Sequence, residues 1–234
     1  MVEKRQLPAR IRAAPNKLRD SRLIVIATEG RKTEKKYFED LALEYHNSRI
    51  KVHVLEKVDN HSSPEKILAL LDNFKAQYSF EDDDTLWMVI DVDRWKQSKL
   101  SKIAQECSQK GYRLAVSNPS FEIWLLCHIK DINDYSLEQQ QELIENKKDH
   151  TNRTRLEREI ILILSHYNKS NLNTKDFLPG IEQAIEQAQN LDKKPDHRWT
   201  NGLGTRVYLI AKTILGKDER RMLSGAVTPS TPGE

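Results

Sequence analysis

LIVIATEGRKTEKKYFEDL, residues 23–41, is the stretch that decides the fold. Leu23–Thr28 is a short unbroken apolar run, the pattern of a strand buried on both faces. Glu29-Gly30 follows it directly. Thr33–Tyr45 then takes helical spacing, with Tyr37, Phe38, Leu41 and Tyr45 about one turn apart. A strand with no polar face, feeding an amphipathic helix, opens a parallel sheet covered by helices.

The same alternation continues outward. Val52, Val54 and Leu55 mark a second strand. Ser63-Pro64-Glu65 predicts a helix start with Pro at the first position, and Ile67, Leu68, Leu70, Leu71 and Phe74 give that helix its apolar face. Thr85–Ile90 (TLWMVI) is a third buried strand and ends in Asp91-Val92-Asp93. Lys99–Lys110 reads as a helix closed by Gly111. Tyr112–Ser117 is a fourth strand, and Pro119 introduces an apolar helix over Phe121–Ile129. The expected class is α/β, a mainly parallel sheet flanked by helices. From about Lys130 the texture turns all-helical: Ser136–Lys147, Thr154–His166, Pro179–Leu191 and Thr205–Leu215, with a loop at Gly202–Gly204. The expected organisation is a basic flexible arm over 1–22, an α/β domain over 23–130, a helical region over 131–216 and a flexible tail over 217–234. The helical region is expected to pack on the sheet or to contact a partner.

Composition narrows the class. The 234 residues are 38% hydrophobic and 31% charged. No run approaches the roughly 20 apolar residues that span a bilayer, and no apolar segment follows the basic N-terminus, so neither a membrane nor a secretory protein is expected. Two cysteines, Cys107 and Cys127, are too few for a disulfide framework and fit a cytoplasmic protein. The formal net charge is +3, yet residues 1–22 alone carry +5, which suits either contact with nucleic-acid phosphates or plain solvation. No GxxxxGK[ST], GxSxG or HExxH pattern occurs, which argues against a Walker nucleotide site, a serine hydrolase and a zinc hydrolase.

The chemistry is expected where ligands bind in open parallel sheets, beyond the carboxyl ends of the strands. Glu29 follows the first strand; Asp91 and Asp93 follow the third. Residues two apart in extended chain share a side, so Asp91 and Asp93 point alike, toward Glu29 if the strands are neighbours. Three converging carboxylates repel unless a cation neutralises them, and hard oxygen ligands select Mg2+ or Mn2+. Such a site suits phosphoryl transfer. Each element also has an ordinary reading: Asp93 as a helix cap, Glu29-Gly30 as a turn. Arg31, Lys32, Arg94 and Lys96 lie near the same mouth and read as phosphate ligands or as solvated surface. Glu34 sits in the first helical turn, and Ser117-Asn118 ends the fourth strand. Glu122 lies inside an apolar helix, where a carboxylate is costly unless paired. It reads as the partner of a Lys or Arg, or as a further carboxylate of the site. Trp95 and Trp199 stand in polar contexts and suit either base stacking or a protein contact.

Three segments in this order, LIVIATEGRKTEKKYFEDL (Leu23–Leu41), WMVIDVDR (Trp87–Arg94) and SNPSFEIWLL (Ser117–Leu126), resemble the RloB family of prokaryotic defence proteins and its Toprim-type site. The resemblance covers about residues 20–130, with an echo at Asn201–Val207. It departs at Ala27-Thr28, where a cysteine or similar small residue is expected. It implies a Toprim-like fold and a metal-dependent nuclease, acting on DNA or RNA (tRNA included) in anti-phage defence. It also implies a partner ATPase of the ABC or AAA type; because a toxic effector needs restraint, the helical region after Lys130 is expected to dock on that ATPase. On this resemblance Glu29, Asp91 and Asp93 are the catalytic, Mg2+-holding acids, joined by Glu122 as a further metal ligand. The competing expectation is a degenerate Toprim-like scaffold or sensor that binds the ATPase or a phage product without cutting.

Overall fold

The structure, a computed structural model, describes residues 21–56, 63–92 and 95–217. Asp93, Arg94, nearly all of the basic arm and nearly all of the tail lie outside the described residues. Four parallel strands form the sheet: β1 (Arg22–Thr28), β2 (Ile50–Val54), β3 (Thr85–Asp91) and β4 (Arg113–Asn118). A fifth, β5 (Gly204–Thr205), adds antiparallel to β4, giving the order β2-β1-β3-β4-β5. The sequence reading placed a loop here. Two residues carry no periodicity, and β5 exists because Ser117 and Asn118 offer an open strand end to pair with.

Helices α1 (Thr33–Glu44), α2 (Pro64–Gln77), α3 (Gln97–Lys110) and α4 (Glu122–Ile129) connect and follow the strands. Gly111 closes α3 in the left-handed conformation with φ 74°, as the helix-stop reading expected. The later helices are α5 (Leu137–Glu145), α6 (Arg155–Leu164), α7 (Ile181–Leu191) and α8 (Val207–Ile214). Ser136 with Gln139 and Thr154 with Glu157 form reciprocal capping boxes that start α5 and α6.

Alternation along β1 divides the core. Leu23, Val25 and Ala27 face α2 and α3; Ile24 and Ile26 face α1 and the helices of the second half. The helical region therefore packs on one face of the sheet together with α1 and α4 and shares their core. Arg206 fastens its end to the sheet edge. Its backbone N–H donates to the Val116 carbonyl at 3.0 Å, and its guanidinium donates twice to Asp192, at 2.9 and 3.0 Å. Among the described residues no helix is long and apolar enough to cross a membrane.

An aromatic knot centres the second-half face. Tyr37 meets Phe121, Trp124 and His128 edge-on, with ring centroids 5.6, 6.2 and 5.6 Å away. Such pairs contribute about 0.5–1.5 kcal/mol each beyond burial. The knot holds His128 in its neutral form. Nδ1 donates to the Trp124 carbonyl at 2.7 Å, leaving Nε2 to accept from the Tyr37 hydroxyl at 3.0 Å. Burial lowers the His128 pKa from 6.5 to about 4. The unfolded chain binds this proton first, so the stability is fully present above pH 6.5 and is lost as pH falls toward 4. Between pH 7 and pH 5 urea unfolding is expected to show a loss of about 2 kcal/mol attributable to this group. The His128→Gln variant should lose that part of the pH slope, as measured by unfolding curves at the two pH values.

Candidate functional site

Strand order places the site. The chain leaves β1 through α1 to reach β2 on one side, then returns through α2 to β3 on the other. The crevice between the carboxyl ends of β1 and β3 is thus a topological switch point, where open α/β sheets bind ligands. Glu29 stands at one lip and Asp91 at the other.

Glu29 is buried and held in a fixed orientation. Its backbone N–H continues the ladder to the Val89 carbonyl at 2.9 Å. Its Oε2 accepts from the Asp91 backbone N–H at 3.2 Å and from Trp95 Nε1 at 3.1 Å. Trp95 therefore positions a candidate catalytic acid, and Lys99 lies 4.2 Å above its ring. Asp91 is half-buried at the rim. Sequence reasoning brings these two acids together, and so does the structure. The third, Asp93, lies outside the described residues, as does Arg94.

Gly30 explains its own identity. A Cβ built there would fall 1.7 Å from Glu34 Oε2, so the Glu34 carboxylate lies directly over the glycine. Glu34 is buried. Burial pushes its carboxyl above the usual range and the charge of Glu122 adds to the shift, against hydrogen bonds from its own and the Gly30 backbone and the field of Lys169. The missing side chain at Gly30 thus leaves room for the Glu34 carboxylate against the backbone that follows β1.

Glu122 is 1% exposed and fully engaged. Its Oε2 accepts from Ser120 Oγ at 2.7 Å. Its Oε1 accepts from Lys169 Nζ at 2.5 Å and from the Tyr167 hydroxyl at 3.4 Å. Burial alone would raise its pKa; Lys169, together with the Ser120 hydroxyl and the backbone N–H, outweighs that and holds the carboxyl below the ordinary range. Of the two readings of this acid, the paired one describes its surroundings. Lys169, Tyr167 and the buried Asn146 come from the helical region and had no signal in the sequence. A lone lysine in the polar stretch Asn168–Asn173 matches no motif and gains meaning only from what lies across from it.

The remaining candidates divide. Arg31 and Lys32 are exposed beside a shallow pocket of about 340 Å³ that Gly30, Lys35 and Glu56 also line. Lys96 is exposed at the start of α3. Ser117 and Asn118 are engaged by β5 and the loop before it. Ser117 Oγ shares a 2.8 Å hydrogen bond with Thr205 Oγ1, and Asn118 Nδ2 donates to the Thr200 carbonyl at 3.4 Å. Both hold β5 and its loop in place. Trp199 is buried against the α2–α3 face and does not present its ring for stacking.

The donor set fits a hard divalent cation. Glu29 and Asp91 offer carboxylate oxygens from adjacent strand ends. Among the described residues no three His, Cys, Asp or Glu side chains gather into a metal-binding group.

A family model described as RloB-like protein matches residues 24–214. The chain belongs to the RloB-like family. Membership marks it as a defence-associated protein. The match spans Lys169 and the helical region as well as the strand-end acids, well beyond the segments that carry the resemblance in sequence. Comparison with curated proteins and with solved structures gives no match.

Substituting Gly30 tests the approach of Glu34 in this RloB-like mouth. Gly30→Ala is expected to destabilise by about 1–3 kcal/mol through overpacking, and Gly30→Ala/Glu34→Ala to recover part of that loss. Thermal melts of the two single variants and the double variant check it. Strict additivity would show that the carboxylate does not sit where described.

Proposed function

We propose that the chain is a Toprim-like, divalent-metal-dependent nuclease, the effector of a defence system restrained by an ABC- or AAA-type ATPase. The observation that carries this is the placement of Glu29 and Asp91 on the two lips of the switch-point crevice, with Glu29 oriented by the Asp91 backbone and the Trp95 indole. Bound there, Mg2+ or Mn2+ would polarise a phosphodiester and lower the pKa of its water. Glu29 and Asp91 would hold it, with Asp93 completing the set.

The chain's own groups supply the rest. Arg31, Lys32 and Lys96 offer exposed positive charge around the mouth, suited to the backbone of a nucleic acid. Trp95 and the Asp91 N–H keep Glu29 from rotating as charge develops. A modest net charge of +3 suits a nuclease whose groove is completed by its partner. The face-covering helices α5–α8 present the outer surface on which that ATPase would dock.

Cleavage of labelled total tRNA and of plasmid DNA is the direct test. It uses the full chain with and without the neighbouring ATPase, in Mg2+, Mn2+ or EDTA. Metal-dependent cleavage of one polymer is expected, falling about a hundredfold or more in Asp91→Asn and Glu29→Gln. Lys32→Glu should weaken substrate binding with a smaller effect on turnover. No cleavage of either polymer beside an activated partner would favour the non-cutting scaffold.

A further inference from the structure

The helical region does more at the mouth than cover a sheet face. Lys169, in the loop after α6, is fastened at two points. The Thr33 hydroxyl at the start of α1 donates to its backbone carbonyl at 2.6 Å, across 136 positions of sequence. Its ammonium pairs with Glu122 Oε1 at 2.5 Å and with Glu157 Oε1 at 3.4 Å. Glu122 is braced in turn. The Ser120 hydroxyl that binds it accepts from Asn146 Nδ2 at 3.3 Å, and Asn146 Oδ1 accepts from the Leu156 N–H at 3.0 Å. The end of α5 and the start of α6 thus fix the acid that fixes the lysine. The field of Lys169 reaches both Glu34 and Asp91.

We infer that Lys169 is a built-in cation of the carboxylate mouth and that Glu122 is its anchor, so that Glu122 holds Lys169 and not the divalent ion. This rests on the metal-dependent reading above. A carboxylate has about four lone-pair sites, and three donors already take three of those of Glu122, an ammonium among them. A divalent ion at this buried acid would have to sit against the ammonium already bonded to it, or displace it. Lys169 instead offsets part of the mouth's negative charge and fixes the number of acids left for a metal. It is a positioning residue, contributed by the half of the chain that carries none of the strand-end acids.

Mn2+ titration followed by electron paramagnetic resonance tests this on the full chain, independently of cleavage. Asp91→Asn should weaken Mn2+ binding about tenfold or more, whereas Glu122→Gln should stay within about threefold of wild type. Lys169→Met should bind Mn2+ about three- to tenfold more tightly, because a like charge has left the mouth, and Lys169→Arg should match wild type. A Glu122→Gln loss as large as that of Asp91→Asn would overturn the inference while leaving the nuclease reading intact. So would unchanged or weaker binding in Lys169→Met. Wild type that binds no Mn2+ would overturn the metal reading and this inference together. Thermal melts read the anchor itself. Lys169→Met should lower Tm by about 3–5 °C by leaving Glu122 unpaired, and Glu122→Gln/Lys169→Met should regain most of that shift. An unchanged Tm in Lys169→Met would overturn the anchoring.

Discussion

Strand β1 is buried along almost its whole length between two helical layers, and that constraint governs where charge can stand. Neither face of the sheet can carry an unpaired acid without a large desolvation cost. Only the strand ends remain, where the backbone leaves the ladder and water or a counter-ion can enter. Glu29 and Asp91 occupy the first such positions on neighbouring strands. Acids therefore stand at the ends of the sheet, Glu29 and Asp91 at the carboxyl ends and Glu81–Asp84 before β3 at the other, as a direct consequence of how dry its faces are.

Acids gathered in this way need something to offset their repulsion. Around Glu29 the answer is a pair of N–H donors; around Glu122 it is an ammonium brought from a distant part of the chain. Glu34, buried above Gly30, lies within the influence of Glu122 and Lys169. The mouth is thus built from two subsites with different solutions to the same electrostatic problem. The one at β1 and β3 is held by backbone and indole N–H groups, while the one on α4 is closed by the protein's own side chains.

Much of the fold was legible because burial on both faces leaves an unmistakable apolar run. Leu23–Thr28 and Thr85–Ile90 carry that pattern, and the helix after each carries its own period. The pairing of Glu29 with Asp91 was legible because strand ends and topology alone bring them together. β5 was not, since a two-residue strand has no period, and its existence depends on Ser117 and Thr205 meeting. Lys169 was not, since its role is set entirely by a neighbour 47 positions away in sequence, Glu122. The segments that carry the family resemblance divide in the same way. Glu29, Gly30 and Asp91 belong to the mouth, whereas Tyr37, Phe38, Phe121 and Trp124 are packed in the core. Those aromatics identify the fold more than the chemistry.

The 2.6 Å bond between Thr33 and the Lys169 carbonyl joins the first turn of the first helix to a loop in the last third of the chain. During synthesis the strand-end acids emerge from the ribosome early, and the lysine that shares their mouth emerges late. A prematurely terminated product ending before Lys169 would carry Glu29 and Asp91 but an unfinished electrostatic environment, and would lack α7, α8 and β5 from one face and edge of the sheet. Completeness of the polypeptide is in this way written into the mouth itself.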